Sequence, residues 1–279
     1  MRVLVTNGDG VGAPGIQHLA RAVVAAGHDV VVAAPRSDMS GSGAALGRLH
    51  VDEHIDVEAH ELPGLEGVPA YGVDGPPALA VLTARLGGFG ELPDLVVSGV
   101  NPGANTGRAT LHSGTVGAAL TAANFGVSAL AVSIEPGDPV RWETATTLAV
   151  DALAWLADAP TRTVLNLNVP DRPLDGLAGV RWAGLAPFGT VRAAIADADL
   201  PRGGAGGTGR LQMELRETGE VLPPESDTAL VLAGYAAVTE LVGIRAVGAD
   251  GPPVPAMGRD HHDEDVVAHL ARTLPARTA

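Results

Sequence analysis

Short apolar runs, each ending in a polar turn that contains glycine and then giving way to a segment of helical period, recur through the first 170 residues. This alternation constrains the fold more than any other feature of the chain. Val3-Leu4-Val5 lies in a strand-like stretch, Arg2 to Thr6, that runs into Asn7-Gly8-Asp9-Gly10. Pro14 suits a first helical turn, and Leu19, Val23 and Val24 continue a helix that Gly27 ends. The same reading gives strands at Val30 to Ala34, Asp94 to Ser98, Ala129 to Ser133 and Thr163 to Leu167. Helices are expected at Ala78 to Leu86, Thr115 to Asn124 and Arg141 to Leu156. Strands alternating with helices predict an α/β fold: a Rossmann-like, doubly wound, mostly parallel sheet covered on both faces.

From Pro170 the pattern changes. Pro and Gly become frequent, Arg202 to Gly209 reads as a loop, and short strands are expected at Leu211 to Leu215 and Ala236 to Leu241. Glu264 to Leu274 is amphipathic and reads as a terminal helix. The expected organisation is therefore a core over residues 1–170 and a β-rich C-terminal extension over 171–279, appended to the core rather than independent of it.

Bulk properties exclude several classes. A net charge of -14 opposes non-specific attraction to phosphate backbones, so no nucleic-acid duplex is expected as a partner. With no Cys there is no disulfide, thiolate metal site or thiol nucleophile. No apolar stretch approaches the roughly 18 residues of a membrane span. The N-terminus reads as a strand rather than a signal peptide, so a cytoplasmic protein is expected.

In a doubly wound sheet, ligands bind beyond the carboxyl ends of the strands. Four polar segments fall there: Asn7 to Gly10, Ser37 to Gly43, Ser98 to Gly103, and His112-Ser113-Gly114-Thr115 at the start of a helix. Each has a plain structural reading. Asn-Gly-Asp-Gly is a turn signal, Ser40 to Gly43 a flexible loop, and Ser113 a helix N-cap. Their joint occurrence at successive strand ends is what a small anionic substrate and a hard cation need. Gly10-x-Gly12-x-x-Gly15 also matches a dinucleotide fingerprint, but the second strand ends in Ala34-Pro35-Arg36, with no acid for a ribose hydroxyl. A nucleotide-sugar glycosyltransferase opens similarly, yet needs a second full Rossmann-like domain that this chain is too short to hold.

Residues Met1 to Ile16 (MRVLVTNGDGVGAPGI), Ala34-Pro35 with Ser40-Gly41, Pro93 to Gly107 (PDLVVSGVNPGANTG) and His112 to Ala119 (HSGTVGAA) resemble, in order, the motifs of the SurE family of 5'/3'-nucleotidases. Asn166 to Pro170, Ser226-Asp227-Thr228 and Gly234-Tyr235 resemble its later landmarks, so the likeness spans about residues 1–241. The resemblance implies hydrolysis of nucleoside monophosphates or related phosphomonoesters and a C-terminal region used in forming a homodimer or homotetramer. It also implies a divalent cation, Mg or Mn, held by two adjacent Asp, a Ser and an Asn. By position the ligands are Asp9, Ser40 and Asn101.

Two departures stand out. The family pattern Asn-Asp-Asp-Gly reads Asn7-Gly8-Asp9-Gly10 here, so the first carboxylate is absent. The pattern Gly-Thr-Pro-x-Asp reads Gly75-Pro76-Pro77-Ala78-Leu79. On this reading Asp9 supplies the one remaining carboxylate, while Ser40 and Asn101 supply neutral oxygens. Ser113 and Thr115, with Gly114 and the helix they open, receive phosphate. Asn7 or Asn105 orients the phosphate or the water, and Ser40, Gly41, Asn105 and His112 complete the substrate contacts. His112 is also considered as a replacement acid or base, against its plain reading as a helix-start residue. The run Asp260 to Asp265 reads as a solvated helix start rather than a metal site. The alternatives to a working phosphatase are a silent member that binds a phosphate-bearing ligand and one re-purposed for another phosphate-containing substrate.

Overall fold

Strand β1 (Arg2–Thr6) carries Val3 and Val5 on one face and Leu4 on the other, all fully buried, because a strand in the middle of a covered sheet needs apolar residues on both faces. The computed structural model of the protein describes residues 1–47, 54–187, 191–199, 209–217 and 219–244. After β1 come α1 (Pro14–Ala25), β2 (Asp29–Pro35), β3 (Val57–His60), β4 (Ala70–Val73), α2 (Pro77–Arg85) and β5 (Leu95–Pro102). A 3-10 segment (Gly107–His112) leads to α3 (Gly114–Asn124), β6 (Ser128–Ile134), α4 (Trp142–Asp158) and β7 (Val164–Val169). The C-terminal part adds β8 (Gly179–Trp182), β9 (Val191–Asp199), β10 (Arg210–Glu217), α5 (Asp227–Leu232) and β11 (Tyr235–Leu241).

Nine strands form one sheet in the order β3-β4-β2-β1-β5-β6-β7-β11-β8. From β4 to β7 every pairing is parallel. Among the described residues of this sheet, the antiparallel pairs are those of β3 with β4 and β11 with β7. Helices α1 and α4 pack with Val3, Val5, Leu130 and Leu167 on one face, and α2 and α3 with Leu4, Val96 and Ala129 on the other. This is the doubly wound α/β arrangement the alternation predicts. β9 and β10 form a separate two-stranded sheet.

The expected core strands and helices are all present. α5 and four strands, β3, β4, β8 and β9, had no counterpart in the sequence reading. β3 (VEAH) is a four-residue edge strand, mostly exposed, so no apolar alternation marks it. β8 is likewise short and largely exposed, and α5 is too short for a helical period to register. Strand β11 pairs with β7, so the C-terminal part completes the core sheet through backbone hydrogen bonds. Described residues up to Gly243 belong to one compact unit, and of the second, Ile244–Ala279, only Ile244 is described. The expected terminal helix Glu264 to Leu274, the run Asp260 to Asp265 and, apart from Gly209, the run Arg202 to Gly209 lie outside the described residues. Among the described residues, no helix is long and apolar enough to cross a membrane.

Strand order reverses at the centre of the sheet. The chain leaves β1 towards β2 and β4 on one side, while β5, β6 and β7 follow on the other. The crevice beyond the carboxyl ends of β1 and β5 is therefore the place where this architecture binds ligands.

Candidate active site

Thr6 and Ser98 are paired across β1 and β5, so the turn after β1 and the loop that closes β5 leave the sheet side by side. Four loops converge at this edge through contacts of the backbone. Met39, in the turn after β2, donates its N–H to the Gly8 carbonyl at 2.8 Å. Gly43 donates to the His112 carbonyl at 3.1 Å, which fixes the same loop to the start of α3. Gly117 on α3 lies against the Gly43 carbonyl so closely that a Cβ would collide with that oxygen. Gly8 faces the first turn of α3: a Cβ there would stand 3.7 Å from both the N and Oγ1 of Thr115.

Asp9 projects from the β1 turn with its Oδ2 buried and without a hydrogen-bond partner. Burial first, and then the charge of Asp38, push its carboxyl up to about 6, against a modest pull from a backbone hydrogen bond. A buried carboxylate oxygen without a donor is costly unless a cation or a donor arrives from outside the chain. Thr6, Ser42 and Ser98 also hold buried hydroxyls without partners, so the unsatisfied polar atoms at this edge fit a hard cation and its waters or a polar ligand. The donors proposed for the cation contain one carboxylate, and among the described residues no three or more His, Cys, Asp or Glu gather in one metal-binding group.

Asn101 is half-buried at the end of β5, and its Nδ2 donates to the Gly103 carbonyl at 2.6 Å. That bond fixes the amide with Oδ1 left as the oxygen able to meet a cation. Ser40 and Gly41 are exposed in the turn after β2, and the Ser40 N–H and hydroxyl both donate to Asp38 Oδ1, at 2.8 and 2.5 Å. These bonds hold the Asp38 carboxyl below its ordinary value.

Ser113 is the N-cap of α3: its Oγ accepts the Val116 N–H at 3.1 Å. The plain reading of Ser113 is thus realised. The Gly117 N–H is taken by the Ser113 carbonyl at 2.8 Å, so the first-turn donors left for an anion are those of Gly114 and Thr115. Both residues are buried under the loops. His112 ends the 3-10 segment with an exposed side chain.

Asn7 is fully buried and closes on Gly10 in both directions, Nδ2 to the Gly10 carbonyl at 3.0 Å and the Gly10 N–H to Oδ1 at 3.1 Å. Its amide shapes the turn that presents Asp9. Asn105, by contrast, is held through its backbone. Asn166 and Asn168 both donate to its carbonyl, at 2.8 and 3.1 Å, and Asn168 Oδ1 accepts its N–H at 2.7 Å. The Asn105 side chain donates to Ser133 at 2.8 Å and keeps Oδ1 as an acceptor.

These clamp residues had no role in the sequence reading, although Asn166-Leu-Asn168 was visible as a landmark. Residues two apart on a strand share a face, and two fully buried Asn on one face must find polar partners. Asp227 is a second hidden support. Fully buried, it accepts the N–H groups of Gly107 (2.8 Å), Ala186 (2.9 Å) and Thr228 (2.8 Å), tying the loop that follows Asn105 to the C-terminal part. A concavity of about 540 Å³ lined by His18, Arg141, Trp142 and Thr147 contains none of these site residues.

Comparison with known proteins places these loops in context. Residues 3–188 match the family model described as survival protein SurE. The chain is 38% identical over 247 residues to the 5'-nucleotidase SurE of Solidesulfovibrio magneticus, covering 86% of this chain and 91% of that one. It is 43% identical over 183 residues to the 5'-nucleotidase SurE of Geobacter metallireducens, covering 64% and 68%. The crystal structure of the SurE protein from Aquifex aeolicus superposes with a TM-score of 0.69 at 28% identity, over 87% of this chain and 93% of that chain.

Proposed function

This chain belongs to the SurE family, and on that premise we propose that it is a metal-dependent phosphatase hydrolysing nucleoside monophosphates or related phosphomonoesters. The observation that carries the reading is the Asp9 carboxylate, its buried Oδ2 unpartnered, projecting from the turn whose Gly8 abuts the open first turn of α3. Asp9, Ser40 and Asn101 would hold Mg or Mn through hard oxygen donors. A divalent cation held by these residues would supply positive charge to the phosphoryl oxygens and acidify the attacking water.

The chain's own residues do the rest. The N–H groups of Gly114 and Thr115, at the positive end of α3, receive the phosphate oxygens. Asn101, fixed by Gly103, and Asn105, fixed by Asn166 and Asn168, enter the reaction pre-oriented, so little reorganisation accompanies charge development. Asn105 Oδ1 accepts a hydrogen bond from the attacking water. As the water oxygen bonds to phosphorus, the ester P–O bond breaks; of the two protons the water brings, one stays with the product phosphate and the other ends on the leaving alkoxide, giving the free alcohol.

A homodimer or homotetramer built through the C-terminal part accords with the exposed apolar residues of the β9–β10 hairpin, Ile195, Leu211 and Met213. Light scattering on the purified chain tests that assembly. The activity is tested by phosphate release from a panel of nucleoside monophosphates with Mg or Mn. Turnover that stops with EDTA and in Asp9→Ala is expected, and undiminished turnover in Asp9→Ala would overturn the site.

A further inference from the structure

The cation site as drawn has one carboxylate, because residue 8 is glycine. Nothing in the backbone demands that glycine: a Cβ at position 8 meets only ordinary contacts. A second carboxylate nonetheless stands beside the site, on the neighbouring loop.

Asp38 adjoins Met39, whose N–H donates to the carbonyl of Gly8 itself, so the turn that carries Asp38 is fixed against the position where the carboxylate is missing. Its Oδ1 accepts the Ser40 hydroxyl at 2.5 Å. A serine hydroxyl has one proton and two lone-pair sites. Once the proton is committed to a carboxylate, the oxygen can turn its lone pairs only to a cation or to donors. Among the described residues Asp38 has no cationic side chain within 4.0 Å, so the chain leaves its charge unneutralised. The buried Asp9 Oδ2, which has no hydrogen-bond partner, is an independent mark of a positive group that this edge expects.

We propose that Asp38 is the second anionic residue of the cation site: a positioning residue that holds the Ser40 hydroxyl with its lone pairs free and supplies the negative charge that Gly8 does not. The proposal rests on the metal-dependent reading above. It gives the Asp38-x-Ser40 spacing a chemical role, and it explains how a site with glycine at position 8 retains two negative charges.

The experiment is a Mn²⁺ titration of the full chain, read by the loss of the free-ion electron paramagnetic resonance signal, with no substrate present. Wild type, Asp38→Asn, Asp9→Ala and the double variant Gly8→Asp with Asp38→Asn are compared, and thermal unfolding verifies that each is folded. Asp38→Asn keeps an oxygen for the Ser40 hydroxyl but removes the charge. It is expected to weaken Mn²⁺ binding by roughly 10- to 100-fold, as loss of a residue supporting a metal ligand does. Adding Gly8→Asp to that background is expected to recover most of the affinity. If Asp38→Asn binds within about threefold of wild type while Asp9→Ala does not bind, Asp38 has no part in the site and the phosphatase reading survives. If wild type binds no Mn²⁺ at all, the proposal falls together with the metal requirement, and phosphate release without added metal decides whether any hydrolase activity remains.

Discussion

Asn168 grips Asn105 by the backbone, accepting its N–H at 2.7 Å and donating to its carbonyl at 3.1 Å. A buried side-chain amide here reproduces the two-bond pattern of a neighbouring strand, and it fixes a loop residue to the rigid sheet. Asn168→Ala removes both bonds, leaving Asn105 held by Asn166 at its carbonyl and by Ser133 at its side chain, and loosens the loop. We expect kcat to fall by roughly 10- to 100-fold, in line with the cost of a misplacement near 1 Å. Asn168→Asp, which still accepts but cannot donate, should fall between. Steady-state kinetics on a nucleoside monophosphate checks both, and unchanged kcat in Asn168→Ala would remove Asn105 from the reacting set.

Asp227 serves the same loop from the other side, with three N–H groups on one buried carboxylate. Asp227→Ala leaves those donors unsatisfied and should cost about 3 kcal/mol of stability. Urea unfolding measures it, and a midpoint equal to that of wild type would contradict the role.

Gly117 lets α3 lie against the carbonyl of Gly43. In Gly117→Ala the new methyl meets backbone, which cannot swing aside as a flexible side chain does, so we expect a loss of about 2 kcal/mol and a displaced Ser40 loop. Thermal unfolding together with Mn²⁺ affinity reports both effects. Loss of stability with unchanged affinity would show that the loop is placed independently of α3.

Asp9 makes stability depend on pH in metal-free protein. Its folded pKa, about 6, lies above the ordinary value of 3.8. Its stabilising contribution is therefore complete below 3.8 and lost as pH rises through about 6. Asp9→Asn abolishes that loss, so with EDTA the variant should be the more stable at about pH 7.5, by an amount on the order of 1 kcal/mol after discounting for partial solvent screening. The advantage should vanish near pH 4. Thermal unfolding across this range tests it, and a constant offset between the two proteins would show that the carboxyl is not perturbed.

The sequence by itself determined the architecture and the loops that matter. The apolar runs of β1, β2, β5, β6 and β7 can be satisfied only in a covered sheet, and the polar turns that interrupt them fall of necessity at its carboxyl edge. Asp9, Ser40, Asn101 and Thr115 were legible as candidates on that basis because local pattern and family motif both mark them. Short edge strands such as β3 were not, since four exposed residues carry no period. What the tertiary structure alone decided is which polar atoms face each other across distances in sequence. Asn168 reaches Asn105 across 63 residues and Asp227 reaches Gly107 across 120, while Met39 meets Gly8 only because β1 and β2 are neighbours. Such pairings are fixed by burial, which forces each enclosed donor to find an acceptor wherever the fold has placed one, and no local stretch of sequence records that choice.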